Sequence, residues 1–232
     1  IAGKKNIRIV VCIDEFQQIA EFEDSKNFQK RLRGVWQLQK SVSYCLFGSK
    51  KHLMNELFEK RSLPFYKFGD AVYLPKISTE DWVNYICERF KATKKEISEE
   101  LAGEICRIVD NHSSYVQQLA WLVWIHTQEV ATTDNFAEAC QDIIDQNTPL
   151  FEKLTESLTT YQLNFLRAVL DGVHQEFTTS EVLQKYSLGS SANVSTIKRA
   201  LIKKELIEME NKRVVISDPL LSIWLRKELM NR

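Results

Sequence analysis

The stretch Arg8-Ile9-Val10-Val11-Cys12-Ile13-Asp14-Glu15-Phe16-Gln17 decides how the rest of the chain is read. Its apolar block is rich in β-branched side chains and too short for a helix. It predicts a strand buried on both faces, as in a parallel sheet. Ligands of open α/β sheets bind beyond the carboxyl ends of the strands, so Asp14 and Glu15 are placed to face a crevice. Two carboxylates there suit phosphoryl transfer: Asp14 can hold hydrated Mg2+, and Glu15 can polarise an attacking water. This is the Walker B pattern. Two acids after a strand can also be an ordinary capped turn, and the neighbouring sequence has to separate the two readings.

A second apolar block, Val42–Phe47, closes on Gly48-Ser49. A hydroxyl at the tip of a neighbouring strand can bond the attacking water or a γ-phosphate, the sensor-1 role. Ser49 also precedes a helical stretch, residues 51–60, which it can cap; the two roles are compatible. With a helical pattern over 27–40 and a third short strand at Ala71–Leu74, residues 1–76 read as α/β with right-handed crossovers.

Beyond that the texture changes. Ser78 and Thr79 before Glu80-Asp81 are a helix start, and helical stretches follow to Phe90 and over 97–109, 113–130 and 134–146, with Asn147-Thr148-Pro149 ending the last. Residues 77–150 thus predict an all-helical lid bundle. In residues 151–232, helical stretches lie near 158–170, 178–186 and 191–204. A hairpin over Leu206–Ile216 and a helix opening at Pro219 follow, the order of a winged helix-turn-helix.

Composition bounds the partners. The chain has 232 residues, 44% apolar and 27% charged, which suits a globular, helix-leaning fold. Its 31 basic residues balance its 31 acidic ones, so a nucleic-acid site has to be a local patch. Cys12, Cys45, Cys87, Cys106 and Cys140 are odd in number and lack CxxC or zinc spacing. They read as reduced, buried thiols of a cytoplasmic protein. No apolar stretch approaches the roughly 20 residues of a membrane span. Trp82, Trp121, Trp124 and Trp224 sit among apolar neighbours and read as core or interdomain packing.

The motifs together resemble a family. Asp14-Glu15-Phe16-Gln17, Arg33, Gln37 and Tyr44-Cys-Leu-Phe-Gly48-Ser49 are similar to P-loop ATPases of the AAA+ and STAND classes. The nearest likeness is to the archaeal and bacterial family that ends in a winged helix. The likeness continues through Leu63-Pro64-Phe65-Tyr66, Leu74-Pro75, Asp110-Asn111-His112-Ser-Ser-Tyr115-Val-Gln117 and Ser217-Asp218-Pro219 to Trp224. It implies a partial RecA-like sheet, ATP and Mg2+ as cofactors, and a nucleotide-dependent switch. Two departures qualify it. No GxxxxGK[ST] occurs; Gly3-Lys4 is followed by Lys5 and stands only ten residues before Asp14. The resemblance therefore implies the portion from Walker B to the C-terminus, inactive alone. At the lid, Asp110-Asn111-His112-Ser113 keeps only the His of the family's Gly-Gly-His-Pro, leaving His112 as a nucleotide candidate or a plain turn residue.

Arg33 and Arg61 are candidates for stabilising transition-state charge, in cis or across an interface between copies, or are ordinary surface arginines. In the winged helix, Val194, Ile197 and Leu201 recur at core spacing. Lys198, Arg199 and Lys203 fall on the other face, and Lys212 and Arg213 on the wing, where DNA phosphates can be met. Eleven basic residues against nine acidic ones from Glu156 onward give little excess charge. A protein contact is favoured over DNA. The alternative is a non-enzymatic DNA-binding regulator on a degenerate ATPase platform; a toxin–antitoxin or defence ATPase rests on analogy alone.

Overall fold

A computed structural model of the chain describes residues 7–230; Gly3-Lys4-Lys5 lies outside them. The chain divides into two compact units, Ile1–Leu74 and Pro75–Arg232.

In the first unit, β1 (Ile9–Ile13) and β2 (Val42–Leu46) pair in parallel, with Ile9 opposite Val42 and Ile13 opposite Leu46. A 3-10 turn, Phe16–Ala20, follows β1; α1 (Ser25–Trp36) connects to β2, and α2 (Lys51–Glu59) follows it. Side chains of both helices join one cluster around Phe16, Ile19, Leu57 and Phe65, against which Ile13 and Leu46 pack. Tyr44 stacks on Trp36 with ring centroids 4.1 Å apart. The opposite sheet face carries Val10, Cys12, Ser43 and Cys45, all exposed.

Burial of β1 on both faces is therefore corrected: Val10 is 65% exposed. Two-sided burial needs helices over both faces, and here α1 and α2 feed a single cluster. The thiols are corrected with it. All five are free, yet only Cys106 is buried, while Cys12 and Cys45 are exposed. The strand expected at Ala71–Leu74 does not form. Val72 and Leu74 are 81% and 89% exposed, and no ladder partner lies beside them among the described residues. Tyr73 instead reaches Asn55 and Glu59 of α2 through its hydroxyl, at 3.0 Å each.

The second unit opens with α3 (Thr79–Ala92), capped by the Ser78 hydroxyl on Asp81 N as the sequence predicts. Then come α4 (Glu99–Ile108), α5 (Ser113–His126) and α6 (Thr133–Glu156). Helix α6 does not stop at Asn147-Thr148-Pro149. It runs through Pro149 for two further turns, because Phe151, fully buried, packs against Trp224 at 5.8 Å and anchors the extension. Asn147 and Thr148 donate side-chain bonds to the carbonyls of Ile143 and Ile144, so these residues support the helix they were expected to end.

The winged helix follows: α7 (Thr160–Leu170), α8 (Ser180–Lys185), α9 (Ser191–Lys203), the antiparallel pair β3 (Ile207–Glu210) and β4 (Arg213–Ile216), and α10 (Pro219–Met230). Asn211 and Lys212 both have positive φ, 47° and 68°, as a two-residue type I′ hairpin turn requires. One apolar core runs from Trp82 and Ile86 of the bundle to Leu221 and Trp224 of α10. Trp121 departs from its expected place: it is 55% exposed, on the α5 face turned away from that core.

Candidate functional site

The parallel pairing continues one step past the strands. Phe47 N donates to Ile13 O and Phe16 N donates to Phe47 O, both at 3.0 Å. Asp14-Glu15 and Gly48-Ser49 thus leave the sheet side by side at its carboxyl edge. Asp14 is exposed, and its Oδ1 accepts the backbone N–H of Glu15 at 2.7 Å. Glu15 adopts φ 48°, ψ 39°, a left-handed conformation uncommon for a side-chain-bearing residue. That turn sends Phe16 into the core, where it is 2% exposed.

The Glu15 carboxylate is gripped from two sides. Its Oε1 accepts Ser49 Oγ at 3.0 Å and Ser49 N at 3.4 Å; its Oε2 accepts Gln17 Nε2 at 2.6 Å. The Ser49 hydroxyl bond chiefly, with help from Gln17 and the nearby Lys50 charge, holds the Glu15 carboxyl below its ordinary value against a smaller desolvation effect. Ser49 does not cap α2: the residue at that position is Lys50, which makes no side-chain cap. Its hydroxyl bonds the Glu15 carboxylate instead.

Gln17 is the residue the sequence reading left without a role. It is 2% exposed, and its Oε1 has no hydrogen-bond partner among the described residues. A buried unpaired acceptor costs about 1–3 kcal/mol. Gly48 makes room for it: a Cβ there would lie 1.8 Å from Gln17 Oε1. The signal was present, a Gln two residues beyond the acids and a Gly at the facing strand tip. Read as turn punctuation, the glycine conceals that it supplies space.

These donors fit a hydrated magnesium ion. Mg2+ is usually held by one or two carboxylates, with waters and substrate phosphates completing its shell. Asp14 offers a hard oxygen ligand of that kind beside the Glu15 carboxylate, and among the described residues no group of three His, Cys, Asp or Glu side chains forms a closed metal cage.

The other candidates are more scattered. Arg33 donates through Nη1 to the carbonyls of Pro64 and Tyr66, the latter at 3.3 Å, and lies 5.6 Å over the Phe68 ring. It ties α1 to the Leu63–Phe68 turn. Arg61 is exposed at the start of that turn region. His112, in the second unit, is exposed at the N-terminus of α5 with its ring 4.7 Å from Tyr115. On α9, Val194, Ile197 and Leu201 are buried as their spacing predicts. Arg199, Lys203, Lys212 and Arg213 are exposed and Lys198 is half-buried.

The fold and site define a helix-rich chain with a small parallel sheet and an acidic strand end, closed by a winged helix. A family model described as "Probable winged helix domain" matches residues 149–227. Among solved structures, the chain is similar to the Walker-type ATPase PABY2304 of Pyrococcus abyssi. The TM-score is 0.72 at 15% identity, covering 97% of this chain and 65% of that one. It is also similar to the ORC2 protein of Aeropyrum pernix, solved as ADPNP–ADP complexes, with a TM-score of 0.58 at 14% identity over 100% of this chain and 68% of that one. At such identities the likeness establishes the fold alone. The chain spans 65% of the length of the Pyrococcus ATPase. No curated protein matches the chain in sequence. Among the described residues no helix is long and apolar enough to cross a membrane.

Proposed function

We propose that these residues supply the metal-holding and water-orienting half of an ATP site, together with a winged-helix contact module, in a nucleotide-dependent switch ATPase of the AAA+/STAND type. One observation carries the reading. Asp14-Glu15 and Ser49 stand at the carboxyl ends of adjacent parallel strands, with Ser49 Oγ on Glu15 at 3.0 Å. Asp14 would hold Mg2+ through its water shell, Glu15 would orient the attacking water, and Ser49 would sense the γ-phosphate. Bound Mg2+ neutralises charge on the phosphate oxygens. Residues 1–76, 77–150 and 151–232 are read as sheet, helical lid and winged helix.

The 232 residues contain no GxxxxGK[ST], so the β- and γ-phosphates would need a cradle from outside them. The expected result is that the chain alone releases no phosphate from MgATP beyond what its Glu15→Gln variant releases. Mn2+ as a paramagnetic probe should nonetheless broaden the Asp14 and Glu15 resonances, and Asp14→Asn should abolish that broadening. Broadening spread over unrelated surface acids, or unchanged in Asp14→Asn, would remove the metal site and the reading with it.

A further inference from the structure

We infer that Gln17 is a positioning residue for Glu15, gripping its carboxylate from beneath while Gly48 provides the space that admits the grip. The inference rests on Glu15 being the water-orienting acid, although its geometry needs no nucleotide.

The two partners of the Glu15 carboxylate differ in kind. Ser49 reaches Oε1 from the tip of the neighbouring strand at 3.0 Å, through a hydroxyl that can rotate. Gln17 reaches Oε2 at 2.6 Å from a side chain that is 2% exposed. Glu15 itself is half-buried. A fixed donor thus sets the direction of a more accessible acid.

The carboxamide has one workable orientation. Turned over, its carbonyl oxygen would stand 2.6 Å from the carboxylate, acceptor against acceptor. With Nε2 committed to Glu15, Oε1 lies against Gly48, where any side chain would collide at 1.8 Å, and no donor among the described residues reaches it. Packing alone does not account for a buried acceptor left unpaired, since a methionine fills similar volume without that loss. The nitrogen's bond to Glu15 accounts for it. The charged groups near the carboxylate are Asp14, next in the chain, and Lys50, whose attraction adds to the hydrogen bonds.

The test is NMR of the nucleotide-free chain at one fixed neutral pH, following the Glu15 side-chain carboxyl carbon and the Gln17 side-chain amide protons. The Gln17 amide proton bonded to Oε2 should lie downfield of those of exposed glutamines, and Glu15→Ala should remove that shift. Gln17→Met should move the Glu15 carboxyl carbon resonance. Gln29→Met should not, although Gln29 is equally buried, because its Nε2 serves Ser25 at 2.8 Å. Should Gln17→Met not fold, Gly48→Ala displaces the carboxamide while keeping the glutamine, and should move the same resonance. A Gln17 amide unchanged in Glu15→Ala overturns the inference, as does a Glu15 carboxyl carbon unmoved by the variants. Failure of the ATP reading would show separately, in the Mn2+ broadening, and would leave these shifts where they are.

Discussion

The Asp218 carboxylate takes three hydrogen bonds at once. Its Oδ1 accepts Leu220 N and Leu221 N at 2.8 and 3.0 Å, capping α10, and its Oδ2 accepts the Tyr115 hydroxyl from α5 at 2.6 Å. Burial first, and then the adjacent Asp218 carboxylate, push the Tyr115 hydroxyl well above its ordinary value of 10.0. A raised value means that the folded state keeps its proton where the unfolded chain gives it up. The contribution is therefore complete below pH 10 and is lost as pH rises beyond it. Tyr115→Phe should lower unfolding free energy by about 1–2 kcal/mol at neutral pH, by removing one buried bond to a charged group. It should also flatten the alkaline decline of stability between about pH 10 and 11.5. Urea melts across that range check both. At this scale the sequence was legible at the strand ends. Asp14-Glu15 and Ser49 leave the sheet at one edge because parallel strands bring their carboxyl tips together, and there Ser49 bonds Glu15. Gln17 and Arg33 were not legible, since their partners, Gly48 and the Pro64 and Tyr66 carbonyls, are 31 or more residues away.

Elements were legible wherever a local cause determines them. Ser78, Thr179 and Pro219 start helices through their own side chains or ring, and Asn211-Lys212 turns the hairpin through its own backbone. They were misread where tertiary packing overrides local preference. Ala71–Leu74 has strand composition and no neighbour to pair with, while Pro149 signals a stop that Phe151 and Trp224 overrule. Pro149 cannot donate to the carbonyl of Asp145, four residues back, and it is exposed. Pro149→Ala should therefore stabilise the chain, by about 1–3 kcal/mol. A higher urea midpoint with unchanged denaturant slope is the expected result; a lower midpoint would mean that the proline shapes α6 in a way the fold needs.

At the scale of the molecule, the winged helix carries little excess positive charge. The basic side chains of α9 and the wing are flanked by Glu205, Glu208 and Glu210, within a chain of formal charge zero. At about 150 mM salt, fluorescence anisotropy with duplex DNA should stay flat, leaving protein contact as the module's role. Saturable, salt-dependent binding that weakens in Lys198→Ala or Arg199→Ala would reassign the face to DNA.

The passage of α6 through Pro149 has a mechanical corollary. Its first turns belong to the bundle and its last to the winged helix, and the apolar core continues from one to the other without a break. The helix is in effect a shaft common to both, so a displacement imposed on its first turns would be carried to its last.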